Sequence, residues 1–204
     1  MRLRVLIHRA RLGGDEYRVV RPAHPPTRAV LLDHDRWLSG YVNTEAAQVL
    51  ATLWQLAAHS RHSLIHLPMR TNPSPVEGRP LDLVLLHHSL GFPPSRWKSL
   101  RARLGQGLPH TVRLRPPASD ISYARRHYRE NRDRFDEHVH AETVFLVGSP
   151  PLFRETAHLF RELALKGPSS PDGPDHACAR LHSNDGTLGN ARELHVEHRR
   201  AWPT

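Results

Sequence analysis

The sequence predicts an α/β fold: a mainly parallel sheet flanked by helices, with an N-terminal antiparallel hairpin and a C-terminal strand pair. Three observations carry this. The run from Leu81 to Phe92 is almost continuously apolar until His87-His88-Ser89, the pattern of a strand buried on both faces before it hands over to a helix. Onward to about residue 166, strand-like and helix-like stretches alternate, which is the rhythm of right-handed crossovers. At either end of the chain, short alternating segments flank Gly13-Gly14-Asp15 and Asn184-Asp185-Gly186, both turn signals.

Taken in order, residues 2–11 place Leu3, Val5 and Ile7 on one face and Arg2, Arg4 and His8 on the other. Tyr17 to Val20 returns as the second strand of a hairpin with one wet face. Ala29 to Leu32 is a short apolar run that reads as another strand. Asn43 is placed to cap a helix in which Ala46, Ala47, Val49, Leu50, Leu53, Trp54 and Ala57 cover more than one face, so that helix is expected to be largely buried. A strand follows over 62–67. The prolines and glycine of 69–80 mark a loop.

The core is expected to run over 81–166. It comprises strand 81–87, a helix near 94–104 with Trp97, Leu100 and Leu104 in its stripe, and strand 110–115. A helix over about 120–138 carries Ile121, Ala124, Tyr128 and Phe135, capped by Ser119 or Asp120, and strand 142–147 leads into a helix through Leu165. Pro-Pro pairs at 93–94, 116–117 and 150–151 fit the first turn of helices, where a missing N–H costs nothing. Residues 167–178 read as a linker and 179–204 as the strand pair, with 1–68 holding the hairpin and buried helix of one domain.

Composition bounds the rest. With 204 residues the chain can bury a real core, and an apolar fraction of 38% implies sizeable loops around it. The net charge of +9 invites a polyanion partner. Yet Lys98 and Lys166 are the only lysines, and an excess made almost wholly of arginine is also what GC-rich codons impose on ordinary proteins. Cys178 is the lone cysteine, which excludes an internal disulfide and a thiolate metal cluster. The apolar centre Val5-Leu6-Ile7 is too short for a signal peptide, and no run approaches the ~18 residues of a membrane span, so the expectation is a soluble, cytoplasmic protein with no membrane partner.

Candidate chemistry collects at the carboxyl edge of the expected parallel sheet. His87, His88 and Ser89 end one strand, Arg115 the next, and Gly148 and Ser149 the third; as neighbours they would converge beside helix N-termini, which favour anions. His88 and Ser89 could act as base and nucleophile, with His87, Arg115, Gly148 and Ser149 holding the anion. Alternation points His88 into the crevice and leaves His87 as a structural histidine held by a backbone carbonyl. No nucleophile elbow, phosphate loop or dinucleotide fingerprint is present, and no cofactor is expected. The histidines and acids of 136–142 and 195–198 lack zinc-site spacing, so no metal is expected.

Two function classes follow. The first is a small-molecule or phosphate-ligand binding domain, enzymatic or not, sited at the carboxyl ends of the parallel strands. The alternative is a non-catalytic interaction module that meets nucleic acid or an acidic protein through arginine-rich faces, with Arg125, Arg126, Arg129, Arg132 and Arg134 on one helix and Arg96, Arg101 and Arg103 on another. Carboxylates at i, i+4, such as Asp133 and Asp136, would neutralise the first group.

Overall fold

The computed structural model describes residues 1–117, 122–128, 130–169 and 177–203. The alternating N-terminus forms β1 (Arg2–Leu12) and β2 (Asp15–Pro22), paired antiparallel through a turn in which Gly13 adopts φ +68°. Next come β3 (Ala29–Asp33), β4 (Trp37–Val42) and α1 (Thr44–His59), whose N-terminus is capped by the Asn43 side chain accepting from the Ala46 N–H. The middle of the chain holds β5 (Ser63–Leu67), the short β6 (Arg79–Pro80), β7 (Asp82–His87), α2 (Trp97–Ala102), β8 (Leu108–Arg113) and the single turn α3 (Tyr123–Arg126). The last third holds β9 (Asp136–His140), β10 (Thr143–Gly148), α4 (Pro150–Lys166), β11 (Cys178–Leu181) and β12 (Glu193–His198).

The strands form two sheets. The larger has seven strands in the order β8-β1-β2-β5-β7-β10-β9, and the smaller has five in the order β11-β12-β4-β3-β6. Mixed α/β content with sheets flanked by helices agrees with the expectation, but the large sheet is mixed: only β2–β5 and β7–β10 run parallel. Two local causes explain this. The connection from β5 to β7 holds no crossover helix; it visits the small sheet as β6, where Leu32 pairs with Pro80, and returns antiparallel. The α2 helix is only 6 residues long, and its flanking arginines tie the chain to the hairpin. Arg96 donates to Asp15 (2.8 Å), Tyr17 Oη (3.0 Å) and the Leu12 carbonyl, and Arg103 to the Arg11 carbonyl (2.9 Å). The chain is thereby led across the sheet, and β8 pairs with β1 rather than with β7.

Helices α1 and α4 lie between the two sheets. Every residue of α1 from Ala46 to Ala58 except Gln48 is buried, as its wide apolar surface predicts. Trp54 meets Phe160 (ring centroids 4.3 Å apart) and Phe153 (6.3 Å) on α4. One continuous core joins these helices to Ile65, Leu83 and Val144 on the large sheet and to Leu31, Val42 and Val196 on the small one. The other face of the large sheet is covered by Phe92, Trp97 and Leu100, which pack on Val84, Leu86 and Phe145. Burial of Trp97 is made tolerable by its Nε1–H, which donates to Thr143 Oγ1 at 3.0 Å.

A helix over 120–138 does not form. The expected caps Ser119 and Asp120, with Ile121, lie outside the described residues; of the expected stripe, Tyr128 is exposed and Phe135 wholly buried. Asn131 explains the break, because its side chain donates to the carbonyls of Arg126 (2.9 Å) and Gly186 (3.2 Å) and accepts from Asp133 N–H (3.0 Å). Residues 136–140 then take up period-2 geometry as an edge strand on β10, whose exposed charges guard the open edge. The C-terminal pair β11–β12 is antiparallel, but it extends the small sheet beside β4, not the large one. Of the Pro-Pro pairs, Pro94 opens a 3₁₀ turn leading into α2 and Pro150 opens α4. Only the first residues of the linker over 167–178, a 3₁₀ turn at Gly167–Ser169, and its last two residues are described. No helix among the described residues is long and apolar enough to cross a membrane.

Candidate anion-binding cleft

Two of the three strand ends expected to converge do so. In the parallel pair β7–β10, His87 is the register partner of Gly148, so His87, His88, Ser89, Gly148 and Ser149 share one edge. Arg115 is elsewhere. It follows β8, at the far side of the sheet beyond β5, β2 and β1, and β8 runs antiparallel to β7, so its end lies where β7 begins. The crevice that was to combine all six residues is therefore not formed.

What remains at the histidine edge is well used by the fold. His87 is buried, and its Nδ1 accepts from the Ser89 N–H (3.0 Å) and lies 2.5 Å from Ser89 Oγ, capping a 3₁₀ turn at His88–Leu90. The expected backbone carbonyl is thus replaced by a backbone amide and a hydroxyl. Burial first, then the neighbouring His88, Arg61 and His62, push the His87 pKa down, so the ring is held neutral and basic at Nδ1. His88 is exposed and stacks its ring on His87 (4.1 Å). Ser149 Oγ accepts from the Leu152 N–H (3.2 Å) as the cap of α4, and Gly148 is held by packing: a Cβ there would lie 2.6 Å from Phe135.

Arg115 lines a cleft of about 570 Å³ together with Arg113, Gln55, His59 and Arg154. Three separate elements build it. The C-terminal half of α1 supplies Gln55 and His59 one turn apart, and the second turn of α4 supplies Arg154. Beyond β8, extended backbone forced ahead of Pro116 carries Arg115 past both helices. Its electrostatics are one-sided. Among the described residues, Arg113, Arg115 and Arg154 form no ion pair and no side-chain hydrogen bond, and each is exposed. The neighbouring carboxylate Glu155 is already committed to Arg126 (2.8 Å). In the β1–β8 register Arg113 stands directly opposite Arg2, a like-charge cross-strand pair that costs stability unless an anion lies near.

Two further groups suit the same ligand. Gln55 is 3% exposed, and its Nε2 is buried with no hydrogen-bond partner, an arrangement that costs ~1–3 kcal/mol. His59 donates through Nδ1 to the Gln55 carbonyl (2.7 Å), which orients the ring and leaves Nε2 for a ligand. Three guanidiniums, an imidazole and an orphan amide N–H are all groups that recognise oxyanions.

Sequence reasoning singles out Arg115 but not the residues that line the cleft with it. Arg113-x-Arg115-Pro-Pro does carry a signal, since an extended chain turns both arginines the same way. Nothing local tells that Gln55, His59 and Arg154 meet them. The other arginine-rich stretches are largely spent on the fold: Arg126 is buried against Glu155 and Asp133, Arg96 on Asp15, and Arg101 near Asp82 (3.4 Å). Among the described residues, no group of three or more His, Cys, Asp or Glu side chains is placed to hold a metal ion. No protein-family model matches the chain, and no curated protein or solved structure is found to be similar to it.

Proposed function

We propose that this protein binds a small anionic ligand, a phosphate-bearing molecule or comparable oxyanion, in the cleft between α1, α4 and the Arg113–Pro117 segment. The reading keeps the ligand class expected from the sequence and moves its site from the histidine edge to Arg115 and its neighbours. One observation supports it above the others: Arg113, Arg115 and Arg154 have no carboxylate partner among the described residues and line one cleft together with Gln55, whose buried amide has no hydrogen-bond partner. Guanidinium forks bind planar or tetrahedral oxyanions in bidentate fashion, and together the three supply the charge that a di- or triphosphate needs. The role offered is binding and orientation of the anion.

Thermal unfolding with pyrophosphate, against sodium chloride at equal ionic strength, tests this. A ligand present at a hundred times its Kd adds about 2.7 kcal/mol, and a rise of several degrees in Tm is expected. The rise should vanish in the Arg115→Ala/Arg154→Ala double variant. Equal stabilisation of wild type and double variant, or none in either, would refute the proposal.

A further inference from the structure

The arginine cleft does not end at Gln55. A second cleft of about 210 Å³ lies beside it, with Met1, Ala51, Ala164 and Leu165 as its apolar lining and Arg2, Gln48, Thr52 and Arg161 as its polar residues. The two share the same helical seam. On α1, Gln48 and Thr52 line the second cleft and Gln55 and His59 the first, one stripe at helical spacing. On α4 the order is reversed, with Arg154 in the first cleft and Arg161 and Leu165 in the second, as antiparallel helices require. The clefts also abut across the chain terminus. Met1 lines one and Leu114 the other, and these residues bond to each other twice, Met1 N to Leu114 O (2.6 Å) and Leu114 N to Met1 O (2.9 Å).

Both linings carry arginines, three in the first and two in the second, and the second adds an apolar run of Met1, Ala51, Ala164 and Leu165. In the second, Leu165 is 60% exposed, so its side chain is open to an apolar group lying in the cleft. Cleft centres about seven residues apart on one helix are separated by ~10 Å. From this juxtaposition we infer that the ligand is an organic diphosphate in two parts, its diphosphate among Arg113, Arg115 and Arg154 and an apolar body along Ala51, Ala164 and Leu165. The inference rests on the proposed anion site and adds the class of molecule. A nucleoside diphosphate, with a flat base, and an alkyl or acyl-chain diphosphate share this chemistry.

Calorimetric titration of the full chain separates them. Inorganic pyrophosphate is the head-only probe, and a nucleoside diphosphate and octyl diphosphate are the two-part probes. Each buried methylene is worth about a fourfold gain in affinity, so one of the two-part probes is expected to bind at least tenfold more tightly than pyrophosphate. The probe that gains identifies the body as base or chain. Leu165→Asp, a change at an exposed position, should bring that probe down to the affinity of pyrophosphate while the protein keeps its unfolding transition. If pyrophosphate binds but neither two-part probe exceeds it, this inference fails and the anion site stands. The inference also fails if the gain survives Leu165→Asp. If nothing binds, both fail together.

Discussion

Asp82→Asn should cost this protein about 3 kcal/mol. Asp82 opens β7 and is 3% exposed. Its Oδ1 accepts from the backbone N–H groups of Met69 (2.9 Å) and Arg70 (3.1 Å), anchoring the loop that leaves β5. Its Oδ2 faces Arg101 Nη1 (3.4 Å), Arg70 Nε (3.5 Å) and His66 Nε2 (3.5 Å). Burial opposes ionisation most strongly, yet His66 and the two amides hold the carboxyl below its ordinary range. Asparagine keeps the two bonds to Oδ1 and turns an NH₂ group towards two guanidiniums, donor against donor. Removing one partner of a buried ion pair costs ~3–5 kcal/mol, and the retained amide bonds argue for the lower end. For a chain of this length that is a fall of about 6–12 °C in Tm. Urea unfolding followed by circular dichroism measures it directly. A loss under ~1 kcal/mol at unchanged m-value would refute the view that Asp82 organises this end of the sheet.

Two other perturbations follow from the same interior. His8, His66 and His87 are buried, and burial, the largest cause in each, lowers their pKa values below the ordinary 6.5. The unfolded chain therefore takes up protons that the folded rings refuse. The stability they lend is complete above about pH 6.5 and falls as pH drops below it, with a slope of at most ~1.4 kcal/mol per pH unit for each ring. Melting from pH 8 to pH 5 should show the decline, flattened in His66→Gln; a Tm that rises on acidification contradicts it. Gly148→Ala should cost ~1–3 kcal/mol, because the new methyl meets the Phe135 ring at 2.6 Å in a filled core, and a guanidinium unfolding curve superimposable on wild type would contradict that.

Local features of the fold were legible where residues act on their neighbours. The β1–β2 hairpin, the Asn43 cap, the burial of α1 and the strands at β5, β7 and β10 all follow from periodicity and turn chemistry within a few residues. The small sheet was not legible, since β3, β4 and β6 come from the first half of the chain and β11 and β12 from its end. Its strand β4 carries no clear period, because Ser39 and Gly40 interrupt the apolar run of Trp37–Val42, and Gly40 is there to admit Val196, whose side chain would lie 2.9 Å from a Cβ. The parallel order was inferred from the alternation of strands and helices alone. Alternation cannot reveal that Arg96 and Arg103 tether α2 to the hairpin and send β8 to the opposite edge.

The same limit applies to the site. His87, His88, Ser89, Gly148 and Ser149 share one edge because β7 and β10 pair in parallel, and each is followed by polar residues legible in the sequence. Alternation alone puts Arg115 in their company, but β8 pairs with β1 at the opposite edge. The actual partners of Arg115 come from α1 and α4, more than thirty residues away on either side. The signal that singles them out is a deficit among the described residues, charges without counter-charges and an amide without an acceptor, which appears only once the other partners have been placed.

Crystals soaked in selenate would test the anion site most directly, because selenium reports its own position by anomalous scattering. An anomalous peak within hydrogen-bond reach of the guanidiniums of Arg113, Arg115 and Arg154 and of Gln55 Nε2 is the expected result. A peak at His87 and His88 with the arginine cleft empty would contradict it.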